Sequence, residues 1–137
     1  MLAPPSLDLL KILIVDDQDF VRAVVRKMLT QIGIATVVEA RDGIEALRQV
    51  AEQRPDLVIC DVRMRPLDGF GFVEALRGQP GGAALPVILL TGQADPTVVE
   101  RANAAGIDAL LLKPVLAPAL QDRILAVLSA RRPAATP

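Results

Sequence analysis

The fold is decided by one stretch of the chain, Asp56-Leu57-Val58-Ile59-Cys60-Asp61-Val62-Arg63-Met64-Arg65-Pro66-Leu67-Asp68-Gly69. Its apolar run from Leu57 to Cys60 is typical of a strand that is buried on both faces of a parallel sheet. The run stops at the carboxylate of Asp61 and continues into a loop that contains a proline and a glycine. Open α/β sheets bind ligands in a crevice beyond the carboxyl ends of their strands. We therefore expect Asp61 at the edge of such a crevice.

Length and composition predict one globular domain. The chain has 137 residues, of which 52% are hydrophobic and 23% charged. Its apolar runs are too short to span a bilayer, and its first residues lack the basic segment and long apolar core of a secretory signal. These features predict a cytoplasmic protein without membrane contact. A net charge of -1 provides no general basic field, so direct nucleic-acid binding by this segment is not expected.

The residue types that are scarce restrict the chemistry. Histidine is absent, which excludes Ser-His and Cys-His catalytic pairs as well as His-ligated zinc. The single cysteine, Cys60, cannot form an internal disulfide and is predicted to be an inert core thiol. Any chemistry must therefore use carboxylates, Lys, Thr and metals bound through oxygen.

Strands and helices are predicted to alternate five times along the chain. The strands are 11–15, 34–39, 57–60, 86–90 and 109–112, and the helices are 20–32, 42–53, 70–77, 96–105 and 118–130. Residues 1–9 are expected to form an N-terminal arm, 10–130 the domain, and 131–137 a flexible tail or the start of a linker. The alternation predicts a doubly wound parallel sheet with right-handed crossovers and helices on both faces.

Four of the five predicted strands end in a chemically distinctive group. These groups are Asp16 with Asp17, Asp61, Thr91 and Lys113. Because parallel strands end on the same side of a sheet, we expect all of them on one rim. The second strand lacks such a group, as an edge strand away from the crevice would.

The acidic groups at this rim predict a site for a divalent cation. At an effective dielectric of about 20, two like charges about 4 Å apart repel by about 4 kcal/mol, so clustered carboxylates hold protons or a cation. Oxygen ligands favour a hard ion such as Mg²⁺. Its charge would allow Asp61 to act as a nucleophile towards a phosphoryl group. Lys113 and Thr91 would then stabilise the phosphoryl oxygens, and Gly92 would leave room beside them.

This array of residues resembles the receiver domain of two-component response regulators. The resemblance covers residues 10–128 and rests on Asp16-Asp17, Asp61, Thr91 and Lys113-Pro114 over the five βα units. It implies a flavodoxin-like sheet with strand order 2-1-3-4-5, as in the chemotaxis receivers of this family.

The resemblance also implies a role for each acidic residue. Asp61 matches the phosphoacceptor, and Asp17 matches the acid that binds the metal ion directly. Asp16 matches the acid that helps to hold the ion through water. The backbone carbonyl of Arg63 matches the third protein ligand of the Mg²⁺ cofactor.

Three further positions match the part of the family that responds to phosphorylation. Thr91 corresponds to the hydroxyl that moves towards the phosphoryl group, and Lys113 to the lysine that pairs with it. Pro114 corresponds to a proline that usually follows a cis bond.

The chain departs from the family pattern in two places. The family usually has proline directly after the methionine of the acceptor loop, whereas Arg65 follows Met64 here and the proline is Pro66. Arg65 could thus reach the pocket or a partner. Leu110 occupies the position of the aromatic residue that often rotates inward on activation. It would give the surface formed by the fourth helix, fifth strand and last helix an apolar character.

The leading hypothesis is a signalling module rather than a turnover enzyme. Its partners would be a sensor histidine kinase or a histidine phosphotransfer protein, and then a downstream protein or a second copy bound at the surface of the fourth helix, fifth strand and last helix. A pseudo-receiver that is never phosphorylated is one alternative. A small aspartyl-phosphate hydrolase is another, since Asp17 and Asp19 have the spacing of its two acids.

Several of these residues also have a purely structural interpretation. Asp16 and Asp17 can cap the first helix, for which Asp19 is the better candidate. Asp68 is more typical of a turn or cap than of a metal ligand. The phenylalanines are expected in core or loop packing rather than at a binding surface; they are Phe20, Phe70 and Phe72.

Overall fold

The computed structural model describes residues 6–131, and they form a five-stranded parallel sheet with strand order β2-β1-β3-β4-β5. The predicted doubly wound, flavodoxin-like fold is confirmed. The strands are β1 Lys11–Val15, β2 Thr36–Ala40, β3 Leu57–Asp61, β4 Val87–Thr91 and β5 Ala109–Leu112. The helices are α1 Asp19–Ile32, α2 Gly43–Gln53, α3 Gly69–Arg77, α4 Pro96–Ala105 and α5 Ala117–Arg131, with short 3-10 turns at Leu7–Leu9 and Gly82–Ala84.

Each face of the sheet carries its own hydrophobic core. Alternate residues of a strand point to opposite faces, so that Leu13 packs with α2, α3 and α4, whereas Ile12 packs with α1 and α5. Every residue of β3 and β4 is buried, as expected for the central strands of a sheet covered on both sides. Cys60 is a fully buried free thiol.

Aspartates cap three of the helices. In each case the side chain accepts a hydrogen bond from the backbone N–H three residues later, which satisfies a donor that the helix leaves unpaired. The pairs are Asp42 with Glu45 at 2.8 Å, Asp68 with Gly71 at 2.8 Å, and Asp95 with Val98 at 2.9 Å. The caps predicted for α2 and α4 are present, and Asp68 has the structural role that was expected of it.

The prediction for the start of α1 was wrong. Asp19 is the first helical residue, and Gln18 precedes it without a side-chain cap. The Asp16 carboxylate accepts the N–H of Gln18 at 2.9 Å, and the Asp19 carboxylate accepts a hydrogen bond from Arg22. Because both acids have other partners, neither caps the N-terminus in the expected way.

The second strand begins at Thr36 rather than at residue 34 because Gly33 and Ile34 form the C-terminal cap of α1. Gly33 has a φ of 110°, in the left-handed region that favours glycine. The N–H groups of Gly33 and Ile34 both bond to the carbonyl of Leu29, at 3.1 and 3.0 Å. Ile34 is buried against the same core as Leu29, which is the hydrophobic contact that accompanies this type of helix end.

The aromatic residues follow the prediction except at Phe20. Phe70 and Phe72 are buried, but Phe20 is 79% exposed. It lies in the first turn of α1, where it lines an apolar groove of about 380 Å³ together with Val24, Pro114 and Val115. Helical spacing alone could not show that this apolar stripe extends beyond the sheet.

Leu110, predicted to make the surface of the fourth helix, fifth strand and last helix apolar, is half-buried and packs against the core shared with α2, α3 and α4. Other residues provide the exposed apolar surface of α4, β5 and the loop before α5: Val99, Leu112 and Leu116, which are 38%, 55% and 69% exposed.

The two ends of the domain are only partly described. In the predicted N-terminal arm, Leu7–Leu9 forms a 3-10 turn, while residues 1–5 lie outside the described part of the chain. Arg131, predicted to begin the tail, is the last residue of α5, and residues 132–137 lie outside the described part. Within residues 6–131, no helix is both long and apolar enough to cross a bilayer.

Candidate functional site

The register of the sheet aligns the strand ends that carry polar groups. Val15 lies beside Cys60, so Asp16 follows β1 at the level where Asp61 ends β3. Thr91 at the end of β4 lies beside Leu112, the residue before Lys113. The Lys113 N–H also donates to the Thr91 carbonyl at 2.7 Å. The predicted convergence on one rim is therefore present.

Three carboxylates cluster at this rim. One oxygen from each of Asp16, Asp17 and Asp61 lies within 4.8 Å of the others. Asp16 and Asp61 are buried, whereas Asp17 is exposed. Burial raises the pKa of Asp16, and the neighbouring charges of Asp61 and Asp17 raise it further. The N–H of Gln18 and the charge of Lys113 lower this pKa, but the net shift is upward. A set of hard oxygen donors under mutual repulsion suits a divalent cation such as Mg²⁺.

Lys113 places a positive charge beside two of these carboxylates. Its ammonium nitrogen lies 2.6 Å from Asp61 Oδ1 and 3.6 Å from Asp16 Oδ2. Partial burial alone would lower the pKa of Lys113, but the hydrogen bond and charge of Asp61, together with Asp16, raise it. The lysine is therefore charged at neutral pH.

The hydroxyl of Thr91 is close to this cluster but bonds within its own turn. It donates to the Gln93 carbonyl at 2.7 Å and accepts the Gln93 N–H at 3.2 Å. Thr91 is 5% exposed. Next to it, a Cβ added to Gly92 would meet no protein atom within 4 Å, so the space beside Thr91 is open.

These groups surround one pocket of about 530 Å³, which we call the acceptor pocket. It is lined by Asp17, Gln18, Asp61, Val62, Arg63, Thr91, Gly92, Gln93 and Lys113. Asp16 lies behind this lining. The Arg63 side chain donates to Gln93 Oε1 at 3.4 Å and so links the two loops at the edge of the pocket.

The loop after β3 depends on Gly69, which was predicted only as part of a loop. A Cβ at Gly69 would lie 2.5 Å from the Asp61 carbonyl oxygen, and the Gly69 N–H donates to the Val62 carbonyl at 2.8 Å. Only glycine allows α3 to begin this close to the acceptor strand. Two X-Pro bonds near the pocket are cis, Lys113-Pro114 and Arg65-Pro66.

The sequence did not point to Arg22 as part of the site. Arg22 is 9% exposed and donates to the Asp16 carbonyl at 2.6 Å and to Glu39 at 3.0 Å. Burial alone would lower the pKa of Arg22, but its bonds to Asp19 and Glu39 raise it. Arg22 thus fixes the backbone that carries the acidic pair. The only sequence signal was its position one turn after Gln18.

Comparison with known proteins identifies the family. Residues 12–125 match the model of the response regulator receiver domain. The chain belongs to this family, whose members act mainly as signalling modules. The predicted receiver domain is confirmed.

Two curated relatives differ in how much of their length this domain covers. Over 121 residues the chain is 37% identical to a probable chemotaxis protein CheY of Rhizobium etli, covering 88% of this chain and 94% of the relative. It is 38% identical over 109 residues to a gliding motility regulatory protein of Myxococcus xanthus, covering 80% of this chain but 14% of the relative. The same unit therefore matches both a short protein and a small part of a long one.

Solved structures share the fold at similar identity. The chemotaxis response regulator CheY4 of Vibrio cholerae is 34% identical, with a TM-score of 0.79 over 86% of this chain and 98% of that one. The receiver domain of a sensor histidine kinase from Pseudomonas aeruginosa is 35% identical, with a TM-score of 0.77 over 85% and 93% of the two chains. That structure has a magnesium ion coordinated in its active site cleft.

Proposed function

We propose that Asp61 accepts a phosphoryl group from a phosphohistidine of a sensor histidine kinase or histidine phosphotransfer protein. The observation that carries this proposal is the cluster of Asp16, Asp17 and Asp61 with Lys113 at the end of the central strands. An oxygen of the Asp61 carboxylate would attack phosphorus while the bond from phosphorus to the imidazole nitrogen breaks. The imidazole nitrogen keeps the electron pair of that bond.

The donor set of the acceptor pocket suits Mg²⁺ as cofactor. Asp17, Asp61 and the backbone carbonyl of Arg63 would hold the ion, with Asp16 behind them. When bound, Mg²⁺ neutralises carboxylate charge and polarises a phosphoryl oxygen. The pocket itself excludes most solvent from Asp61, which is 8% exposed, and keeps its oxygen next to the ammonium of Lys113.

Phosphorylation would then change the partners of Lys113 and Thr91. The ammonium already lies at Asp61 and would pair with the new phosphoryl oxygens. The Thr91 hydroxyl would have to exchange the Gln93 carbonyl for a phosphoryl oxygen, which draws the β4–α4 loop inward. We infer that this movement reaches the surface of α4, β5 and α5, where a downstream protein or a second copy would bind.

The test is labelling of the intact protein by acetyl phosphate with Mg²⁺, followed by mass spectrometry. We expect one phosphoryl group per chain in the wild type and none in Asp61→Asn. Asp122→Asn, an exposed change in α5 with the same loss of charge, should label like the wild type. Undiminished labelling of Asp61→Asn would rule out Asp61 as the acceptor.

The same experiment separates the two alternatives. A pseudo-receiver would remain unlabelled under all conditions. An aspartyl-phosphate hydrolase would release inorganic phosphate over many turnovers, whereas a receiver gives a stoichiometric label. The Asp19 carboxylate, the second acid of the hydrolase hypothesis, bonds to Arg22.

We infer that residues 10–130 form the receiver unit and that the protein works in the cytoplasm, without contacting nucleic acid or membrane through this segment. The similarity to chemotaxis regulators supports this assignment.

A further inference from the structure

Three arginines line one hollow beside the acceptor pocket. None of them forms a salt bridge with any residue of the described range 6–131. They are Arg63 and Arg65 in the β3–α3 loop and Arg101 in α4. We call this pocket of about 520 Å³ the arginine hollow. Other arginines of the described chain do pair with carboxylates, among them Arg22, Arg26, Arg41, Arg77 and Arg131. The hollow therefore concentrates guanidinium groups whose charge is available to a ligand.

The floor of the arginine hollow is apolar. Val62, Met64 and Phe70 form part of it and are 7%, 5% and 4% exposed. The guanidinium carbon of Arg101 lies 4.7 Å from the centroid of the Phe70 ring. This distance is within the range of a cation–π contact, and guanidinium groups in such contacts can still donate hydrogen bonds.

The charges that face the hollow leave a positive excess. Two acids, Asp17 and Asp68, also line it. Asp68 is engaged as the cap of α3, where it accepts the Gly71 N–H at 2.8 Å, and Asp17 belongs to the acidic cluster. Three guanidinium groups against two carboxylates favour an anionic ligand, and guanidinium groups bind carboxylates through paired hydrogen bonds.

The composition of the arginine hollow favours a protein segment over a small anion. A buried apolar floor with arginine at its edge is the composition of protein–protein interfaces. We propose that the arginine hollow binds an acidic segment of a partner protein, whose carboxylates contact Arg65 and Arg101 while an apolar side chain covers Phe70.

This binding would place the partner over the acceptor. The arginine hollow and the acceptor pocket share Asp17, Val62 and Arg63 as common wall residues. A segment held in one therefore brings its protein to the mouth of the other. This consequence rests on the proposed function, whereas the binding of the acidic segment does not.

The experiment uses a synthetic peptide, acetyl-Glu-Leu-Glu-Glu-Leu-Glu-amide, and the same peptide with Gln in place of every Glu. Binding to the full chain is followed by the backbone amide signals in ¹⁵N NMR. The test variant carries Arg65→Gln and Arg101→Gln. The control variant carries Arg48→Gln and Arg123→Gln, two exposed helical arginines elsewhere, so both variants lose the same charge.

We expect the Glu peptide to shift amides of residues 62–70 and 98–101 and the Gln peptide to leave them unchanged. The test variant should bind the Glu peptide about tenfold more weakly, whereas the control should stay within about twofold of the wild type. Equal weakening in both variants, or equal binding of both peptides, would overturn the proposal. The same holds if inorganic phosphate shifts these amides at lower concentration than the peptide does, which would indicate a small-anion site.

Two further measurements keep the result interpretable. The Arg65 side chain has no hydrogen bond to the described chain, so Arg65→Gln alone tests the hollow without disturbing the contact of Arg101 with Phe70. This variant should bind the peptide severalfold more weakly than the wild type. Unchanged binding would contradict the proposal. Labelling by acetyl phosphate, which needs no protein docking, is measured on every variant. If the wild type is not labelled, the proposed function fails while the peptide titration still tests the hollow.

Discussion

The ammonium of Lys113 lies 2.6 Å from the carboxylate of Asp61, although the two residues are 52 positions apart in the chain. The ion pair joins the end of the central strand β3 to the residue that follows the edge strand β5, with Thr91 at the end of β4 between them. The ammonium of Lys113 therefore neutralises carboxylates that a metal ion bound by the acidic cluster would also neutralise.

Replacing this lysine should increase the affinity of the site for Mg²⁺. In Lys113→Met the acidic cluster loses the positive charge that offsets its repulsion, so a divalent cation gains attraction. We expect the dissociation constant for Mg²⁺, measured by isothermal titration calorimetry, to fall about three- to tenfold. Lys27→Met, an exposed change in α1, serves as the control for overall charge. Unchanged or weaker Mg²⁺ binding in Lys113→Met would contradict the idea that Lys113 and Mg²⁺ compete for the same carboxylates.

Lys113→Ala should also separate labelling from response. The acceptor oxygen of Asp61 remains, so acetyl phosphate should still label the protein to some extent. The phosphoryl group would lack its lysine partner, and partner binding should no longer depend on phosphorylation. Coupling equal to that of the wild type would show that Lys113 does not have this role.

The hydroxyl of Thr91 should be needed for the conformational response to phosphorylation, but not for the phosphorylation of Asp61 itself. Thr91→Ala loses the bonds to Gln93, which costs about 1 kcal/mol of unfolding free energy, and it leaves no hydroxyl for the phosphoryl group. We expect both Thr91→Ala and Thr91→Ser to be labelled at Asp61. Only Thr91→Ser should retain the amide shifts in α4 and β5 that labelling causes in the wild type. Full shifts in Thr91→Ala would exclude the hydroxyl as the element that moves.

Glu39 should stabilise the domain in a pH-dependent way. It accepts hydrogen bonds from Arg22 at 3.0 Å and Arg26 at 2.8 Å. Partial burial alone would raise the pKa of Glu39, but these two arginines lower it below its ordinary value of 4.5. A carboxyl group whose pKa is lower in the folded than in the unfolded state stabilises the fold at pH values above its unfolded-state pKa. This stabilisation is lost as the pH falls through the folded-state pKa.

We therefore expect Glu39→Gln to lower the free energy of unfolding by about 1 kcal/mol at pH 7, with the difference shrinking below about pH 4.5. Urea denaturation, followed by circular dichroism at pH 7 and at a pH below about 4.5, measures the free energy of unfolding of both proteins. Glu52→Gln, an exposed position in α2, provides the matched change. A difference that is independent of pH would mean that packing, not charge, accounts for the effect.

Asp108 should be important for stability at the opposite end of the sheet. It accepts hydrogen bonds from Arg77 at 3.2 Å, from Arg131 at 2.5 Å and from the Val87 N–H at 2.8 Å. Its side chain is only 13% exposed. Burial lowers the pKa of Arg77, and the nearby charge of Arg131 lowers it too, whereas Asp108 raises it.

Asp108→Ala leaves two arginines near each other without their shared carboxylate, so we expect a loss of about 3 kcal/mol in unfolding free energy. Asp122→Ala on the exposed side of α5 should change it by less than about 0.5 kcal/mol. A loss for Asp108→Ala that is no larger than that of the control would show that the cluster contributes little.

The sequence by itself determined the fold and the composition of the site. The apolar run of β3 and the alternation with amphipathic helices leave a parallel sheet as the arrangement that buries both faces, and parallel strands bring Asp16, Asp61, Thr91 and Lys113 to one edge. The caps at Asp42 and Asp95 were readable because they depend on only three neighbouring residues.

Only the tertiary structure decided which side chains meet and which remain exposed. Arg22 turns inward to the Asp16 carbonyl and Phe20 turns outward, because the position of each on α1 relative to the sheet edge is a long-range property. The arginine hollow likewise joins a loop after β3 to a helix after β4. Local periodicity carries no information on such contacts, since they depend on how separate elements pack together.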